Sequence, residues 1–314
     1  MDVSQTRPLV AVNIPVYNGE DFIIEALESI KLQDYENFQC NIINNCSTDD
    51  TRNKVEAFIR NDKRFTLHNF TDFVAIDKNW NRCIDFIDNA KYLKVVQADD
   101  ILFPNAISSM VELMEGNPSA GIGSSYRLAE NSVYGFGLDY LNGNLYKGEE
   151  ILLAHLFDKM EITGSITQLF FRIDTLKQLD CFPIVFDPVE YHFDSRLAYE
   201  MFAISDLVFD FKVHNYTRRP PSSETMTKVY NFNTLIHGKE SRLYRFKSVH
   251  PELNYRYKVI RQKYAYFLFK NKLLKRKDCI AWHSKFLKRP FKFSEYVLGI
   301  LMENRFGAKF RKKN

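Results

Sequence analysis

The sequence predicts an α/β fold built on a doubly wound, mostly parallel sheet, followed by a basic, largely helical C-terminal extension. Two observations predict the sheet. Short apolar runs bounded by turn residues alternate with segments whose apolar residues recur at helical spacing, and this alternation persists through roughly the first 125 residues. A third observation, an abrupt change of charge, predicts the extension: from Arg256 to the end, 18 Lys and Arg face 3 acids, a balance of +15, while the 255 preceding residues carry −11.

Each element follows in order. Residues 9–14 (LVAVNI) form an apolar strand, PVYNGE a turn, and Phe22, Ile23, Ala26, Leu27 and Ile30 the inner face of a helix. Residues 38–43 (FQCNII) alternate as a second strand; the polar loop NNCSTDDT follows, and the next helix starts with Thr48 or Asp49 as its cap. A short strand near RFTLHNF precedes a helix marked by Ile76, Trp80, Cys83, Ile84 and Ile87, in which Trp80 belongs to the core and Asn81 and Arg82 face either solvent or a site. KYLKVV is the next strand, Ile107, Met110, Val111 and Met114 mark another helix, and AGIGSSYRL returns as a strand. The remainder to residue 235 is less regular: a turn-rich stretch after residue 130, a helix over 149–159, a strand at ITQLFF, the segment FDPVEYHFDSRLAYEMF and the loop YTRRPPSSET. The division expected is 1–128 as a ligand-binding half, 129–235 as a second half, and 236–314 as the extension.

Composition limits the function classes. A chain of 314 residues, 45% hydrophobic and 26% charged, buries a sizeable core. Its five scattered cysteines show neither a CxxC pair nor an even framework, which argues against thiolate metal sites and disulfide scaffolds and fits a reducing, cytoplasmic compartment. No signal pattern opens the chain, and no apolar run approaches the ~20 residues that span a bilayer. In the extension, aromatic and aliphatic residues lie between the charges, as in amphipathic helices resting on the anionic cytoplasmic face of an inner membrane. A helical lid or a dimer interface uses the same pattern, so an oligomer stays open. Nucleic acid is not an expected partner, since no recognition motif accompanies the charge.

The polar clusters PVYNGE, NNCSTDD and QADD each follow a strand, so the topology gathers them at one edge, where ligands of such sheets bind. Two adjacent carboxylates, Asp99 and Asp100, end an otherwise buried strand. Like charges in that position call for solvent or a cation, and without a His or Cys cluster the cation is hard, Mg²⁺ or Mn²⁺, completed by substrate phosphates. A helix cap at Asp100 is the competing explanation. Neither GxGxxG nor GxxxxGK[ST] follows the first strand.

Together the segments VNIPVYNGEDFIIEALESI, IINNCSTDDT, VVQADDILFP and FDSRLAYEM…DLVFDFKVHNYTRRPPSSET resemble the family 2 glycosyltransferases, inverting sugar transferases of GT-A fold, over roughly residues 7–228. The resemblance implies a Rossmann-like GT-A domain that moves sugar from a nucleotide-diphosphate donor, UDP- or dTDP-linked, to a hydroxyl of a glycan or lipid-linked glycan in cell-envelope polysaccharide synthesis. By the family pattern Pro15, Tyr17, Asn18 and the nearby Glu20 surround base and ribose. Asn45 contacts the base, although Asn44 and Asn45 stand where the family usually has Asp-Asp or Asp-Asn, which leaves the base open. Gln97 and Asp99 face the nucleotide-sugar, and Asp100 ligates the divalent cation, Mn²⁺ or Mg²⁺. The HFD element supplies Asp194 as catalytic base, with His192 orienting on the acceptor side. Arg218 and Arg219 close over the diphosphate, with Pro220 where the family usually has histidine. Thr163, Gly164 and Ser165 fall where donor or acceptor is contacted. Two other functions compete: a catalytically silent nucleotide- or glycan-binding module, and a nucleotidyltransferase, which would need a basic glycine-rich loop in place of PVYNGE.

Overall fold

The computed structural model describes residues 7–156, 160–179 and 193–219. The extension at 236–314, His192, Pro220 and the end of the helix expected over 149–159 lie outside the described residues.

The chain opens with β1 (Val10–Val16), buried along its whole length, as expected of a central parallel strand covered on both faces. Then come α1 (Ile23–Lys31), β2 (Phe38–Asn44), α2 (Thr51–Ile59), β3 (Phe65–Asn69) and α3 (Ile76–Asn81), the last running into a 3₁₀ turn at Arg82–Ile84. β4 (Tyr92–Val95), β5 (Ile101–Leu102), α4 (Ala106–Gly116) and β6 (Ala120–Ala129) complete the alternating part. The less regular part supplies β7 (Ser132–Tyr134), β8 (Leu145–Tyr146), α5 (Gly148–Leu156), β9 (Phe170–Arg172), α6 (Ile173–Leu176), α7 (Phe193–Ile204) and β10 (Asp206–Thr217).

Among the described residues these strands form one sheet in the order β3-β2-β1-β4-β9-β6-β10-β5, with β7 on β6 and β8 on β10. β3, β2, β1 and β4 are mutually parallel. β9 then enters antiparallel to both β4 and β6, so β6 resumes the direction of β4, and β10 follows parallel to β6. Every long strand thus points the same way, and their carboxyl ends share one edge.

The core is continuous beneath this edge. Val12 and Ile14 of β1 pack in one cluster with Ile23, Leu27 and Ile30 of α1 and with Ile107, Met110 and Met114 of α4. Each such side chain is worth about 1.5–3 kcal/mol when fully buried. On β1 the polar Asn13 is buried too, and its amide is satisfied: it donates to the carbonyls of Cys83 (2.6 Å) and Phe86 (3.0 Å) and accepts from Asn41 (2.9 Å).

Three details depart from the sequence expectation. Residues 166–168 of the expected ITQLFF strand form a 3₁₀ turn, since the Ser165 hydroxyl accepts the Thr167 amide and caps it; the strand is confined to β9. Trp80 is only half-buried, because α3 stops after six residues and the helical stripe drawn through residue 87 is broken there; Asp77 and Asn79 are the buried members. The second helix begins at Thr51, so its cap position is Asp50 and neither Thr48 nor Asp49; Asp49 still accepts the Thr51 amide (3.1 Å) from just outside the helix.

Candidate functional site

The carboxyl edge of the sheet carries five segments: residues 17–20 after β1, 45–50 after β2, 96–100 after β4, the turn at 163–168, and residues 218–219 after β10.

The first two are stitched together. Asn18 sits in the left-handed region (φ 50°); its amide donates to the Ser47 hydroxyl (2.9 Å) and its side-chain oxygen accepts the Thr48 amide (2.8 Å). Glu20 exchanges bonds with the next loop, its amide donating to Asp49 (3.0 Å) and its carboxylate accepting the Asp50 amide (2.9 Å). Burial acts to raise the Asp49 carboxyl, but hydrogen bonds from Thr51 and Glu20 hold it below the usual carboxylate range. Pro15 is buried within β1. Of this group Tyr17 presents its ring outward, 47% exposed, and it meets the 60% exposed Phe73 edge-on with centroids 4.8 Å apart.

Asn45 has a defined task. Its buried amide donates to the Val74 carbonyl (2.8 Å) and accepts the Val74 amide (3.1 Å), and the same oxygen takes an Arg82 N–H (3.0 Å). The side chain therefore pins the loop that carries Phe73. Arg82 lies over the Phe70 ring at 3.8 Å, which settles its orientation toward this loop.

The carboxylate pair lies deeper. Asp100, 1% exposed, accepts the Ser165 hydroxyl (3.3 Å) on one oxygen and the Arg218 amide (3.2 Å) on the other. It caps no helix: β5 intervenes, and α4 starts at Ala106 behind Asn105. Burial and the adjoining Asp99 push the Asp100 carboxyl up to about 7, against hydrogen bonds that favour its charge. Burial raises Asp99 as well, opposed by its own backbone amide and the charge of Arg218. Gln97 joins the cluster by accepting from Ser165 (3.0 Å) and by donating its amide to Thr167 (3.0 Å).

The 163–165 segment ties this pair to α7. The Thr163 hydroxyl bonds the Ser195 hydroxyl (3.3 Å), which also donates to the Thr163 carbonyl (3.3 Å), and Asp194 accepts the Ser195 amide (2.6 Å) in the first turn of α7. At Gly164 a Cβ would lie 2.4 Å from the Arg127 guanidinium and 2.5 Å from the Glu161 carboxylate, so a side chain there would force one or both of those groups to move. Thr163, Gly164 and Ser165 therefore run from the Asp194 end of the site to Asp100. The two arginines diverge. Arg218 pairs with Glu25 of α1 and lies 5.1 Å over the Phe22 ring, whereas Arg219 turns to Glu130 (4.0 Å) and the Tyr134 ring (5.0 Å).

Several participants were not singled out from the sequence: Phe73, Thr167, Arg127 and Lys94. For Lys94 a signal existed, a charged residue inside the otherwise apolar strand KYLKVV, since lysines are almost never fully buried unless paired. The donor set at the pair is all oxygen. Among the described residues no cluster of three or more His, Cys, Asp or Glu could enclose a metal alone. Asp99 and Asp100 thus fit a hard cation that takes its remaining oxygens from ligand and water.

Comparison with known proteins decides the family. The model of glycosyl transferase family 2 matches residues 11–175 of this chain. The chain belongs to glycosyl transferase family 2. An uncharacterized glycosyltransferase of Haemophilus influenzae is 31% identical over 151 residues, 45% of this chain and 44% of its own length, so this chain spans less than half of that relative. Two solved structures share the fold. S. aureus TarS 1-349 in complex with UDP-GlcNAc gives a TM-score of 0.56 at 15% identity, covering 74% of this chain and 66% of that one. The mannosyltransferase PcManGT of Pyrobaculum calidifontis, in complex with GDP-Man and Mn²⁺, gives 0.55 at 15% identity, covering 96% and 88%. The family 2 match takes in the carboxylate pair and the 163–168 turn and ends before α7 and β10.

Proposed function

We propose that this chain is an inverting glycosyltransferase that moves a sugar from a nucleotide-diphosphate donor, UDP- or dTDP-linked, to a hydroxyl of a glycan or lipid-linked glycan acceptor. One observation carries the proposal: the half-buried Asp99, the buried Asp100, Ser165 and Arg218 converge on the carboxyl edge of the sheet, and the 163–165 segment links them to Asp194. The exposed Tyr17 and Phe73 rings offer a face for a base, above loops already braced by Asn18, Glu20 and Asn45. UDP-GlcNAc bound to TarS and GDP-Man with Mn²⁺ bound to PcManGT support a nucleotide-sugar with a divalent cation.

In the proposed reaction the Asp194 carboxylate takes the proton of the acceptor hydroxyl as its oxygen attacks the anomeric carbon. The new C–O bond forms on the face opposite the leaving group, the bond from the anomeric carbon to the diphosphate oxygen breaks, and its electron pair leaves with the nucleoside diphosphate. Asp100, with Asp99 beside it, would hold the cation, which when bound neutralises charge on that diphosphate. The Arg218 amide bonds Asp100 and its guanidinium, paired with Glu25, also acts electrostatically on Asp99; in this reading it would turn from Glu25 to add its charge to the same anion.

A thermal-shift screen against UDP, dTDP, GDP and CMP, each with and without Mn²⁺, tests the binding half, because a native-state ligand raises the melting temperature by mass action. A metal-dependent rise is expected for one nucleoside diphosphate. Asp194→Asn should keep that rise while its donor hydrolysis drops about 10²–10⁴-fold. No shift with any nucleotide would point to a silent module, and hydrolysis unaffected by Asp194→Asn would remove that residue from the chemistry.

A further inference from the structure

Among the described residues Lys94 is a deeply buried cation close in sequence to the carboxylate pair, and the proposed chemistry does not use it. It sits in the middle of β4, 4% exposed, between apolar neighbours. Among the described residues its ammonium pairs with no carboxylate. It donates to two main-chain carbonyls, Thr167 at 2.5 Å and Leu169 at 3.3 Å, on either side of the point where the 3₁₀ turn passes into β9. These carbonyls face the interior, and without the ammonium both would lose this donor.

The clamped turn holds the site from the other side. The Ser165 hydroxyl, which caps the turn, donates to Asp100 and Gln97, and the Thr167 hydroxyl accepts the Gln97 amide. One loop of bonds therefore runs from β4 through Lys94 to the turn and back to residues 97–100, just beyond the end of the same strand. Burial depresses the Lys94 ammonium to about 7, opposed by the charge of Asp100.

We propose that Lys94 is a positioning residue for the donor site: it fixes the 165–169 turn so that Ser165 and Thr167 hold Gln97 and Asp100 in the geometry that receives a cation and diphosphate. The inference rests on the nucleotide-sugar reading of the site. Groups that orient ligating carboxylates typically contribute about 10- to 100-fold to metal affinity. Lys94 acts one step further away, through the turn, so the low end of that range is expected. A lysine that merely donates hydrogen bonds to buried carbonyls would matter to folding and leave metal affinity alone.

The test is equilibrium binding without acceptor, so that no turnover is read. UDP and GDP are titrated by calorimetry with and without Mn²⁺ into the wild type, Lys94→Met and Met110→Ala. Met110 lies in the core cluster on α4, makes none of these hydrogen bonds, and supplies a control for general loss of stability. Lys94→Met is expected to weaken Mn²⁺-dependent nucleotide binding about 10-fold, with metal-free binding and the Met110→Ala variant near wild type. Should Lys94→Met fail to fold, Thr167→Val takes its place, because it cuts the bond from the turn to Gln97 and leaves both carbonyls clamped. Equal Mn²⁺-dependent affinity in wild type and variant overturns this inference alone; a wild type with no Mn²⁺-dependent binding overturns the donor-site reading and this inference together.

Discussion

Replacing Asp100 by Asn should make the metal-free protein more stable while removing its response to cation and nucleotide. Asn keeps the shape and can still accept the Arg218 amide; Ser165 retains Gln97 as an acceptor. What disappears is a charge that the site penalises. Burial, with Asp99 alongside, lifts the Asp100 carboxyl to about 7, so the folded chain keeps a proton that the unfolded chain, near 3.9, has already released. The sign follows from linkage. Below about pH 4 both states are protonated and the group contributes nothing; stability then falls as pH rises toward 7, and the full penalty holds above it. That rise corresponds to a ceiling of about 4 kcal/mol, and relaxation around a buried charge brings the expected gain of Asp100→Asn at pH 8 to roughly 2–4 kcal/mol. For a domain of this size the melting temperature rises by roughly 5–15 °C. The assay is thermal and urea unfolding of both proteins in EDTA from pH 5 to 8.5, repeated with Mn²⁺ and UDP. The difference between variant and wild type should grow with pH, and the added ligands should stabilise only the wild type. A variant less stable than wild type at pH 8, or a difference that stays flat with pH, would refute the buried-charge account.

Two further expectations concern recognition. Phe73→Ala, at a 60% exposed ring, should change stability by no more than about 0.5 kcal/mol, yet weaken nucleotide binding by about 1 kcal/mol or more if the ring stacks on the base; calorimetric titration that finds unchanged affinity removes Phe73 from the base site. The basic extension should carry the full chain upward with anionic liposomes in flotation, while a truncation ending near Tyr255 stays behind. Equal recovery of the two would sink the membrane reading.

Much of the architecture was legible because each parallel strand is an apolar run that ends in turn residues, as in LVAVNI before PVYNGE and KYLKVV before QADD. β9 was not. An apolar stretch such as ITQLFF announces burial but neither its direction nor the 3₁₀ turn at its start, which depends on a hydroxyl cap at Ser165 and on a lysine some 70 positions earlier. The same limit applies within the site. The motifs pointed to Asn18, Glu20 and Asn45, but their side chains brace one loop against another, and that partnership depends on contacts between segments about 30 residues apart. Arg218 and Arg219 look equivalent in sequence and part in space, because successive residues of an extended segment face opposite sides.

The placement of β9 has a consequence for how this protein can be taken apart. β4 and β6 touch the same short antiparallel strand instead of each other, so the three residues Phe170–Arg172 are the seam of the sheet. A fragment ending at residue 128 would keep β4 and β6 but leave the gap between them open, with two rows of unpaired backbone groups ready to recruit another chain. Division of the chain there would separate functions on paper and produce an aggregating polypeptide in solution. Split-protein reporters or domain-exchange chimeras built on this scaffold should therefore keep residues 163–172 on the same piece as β4.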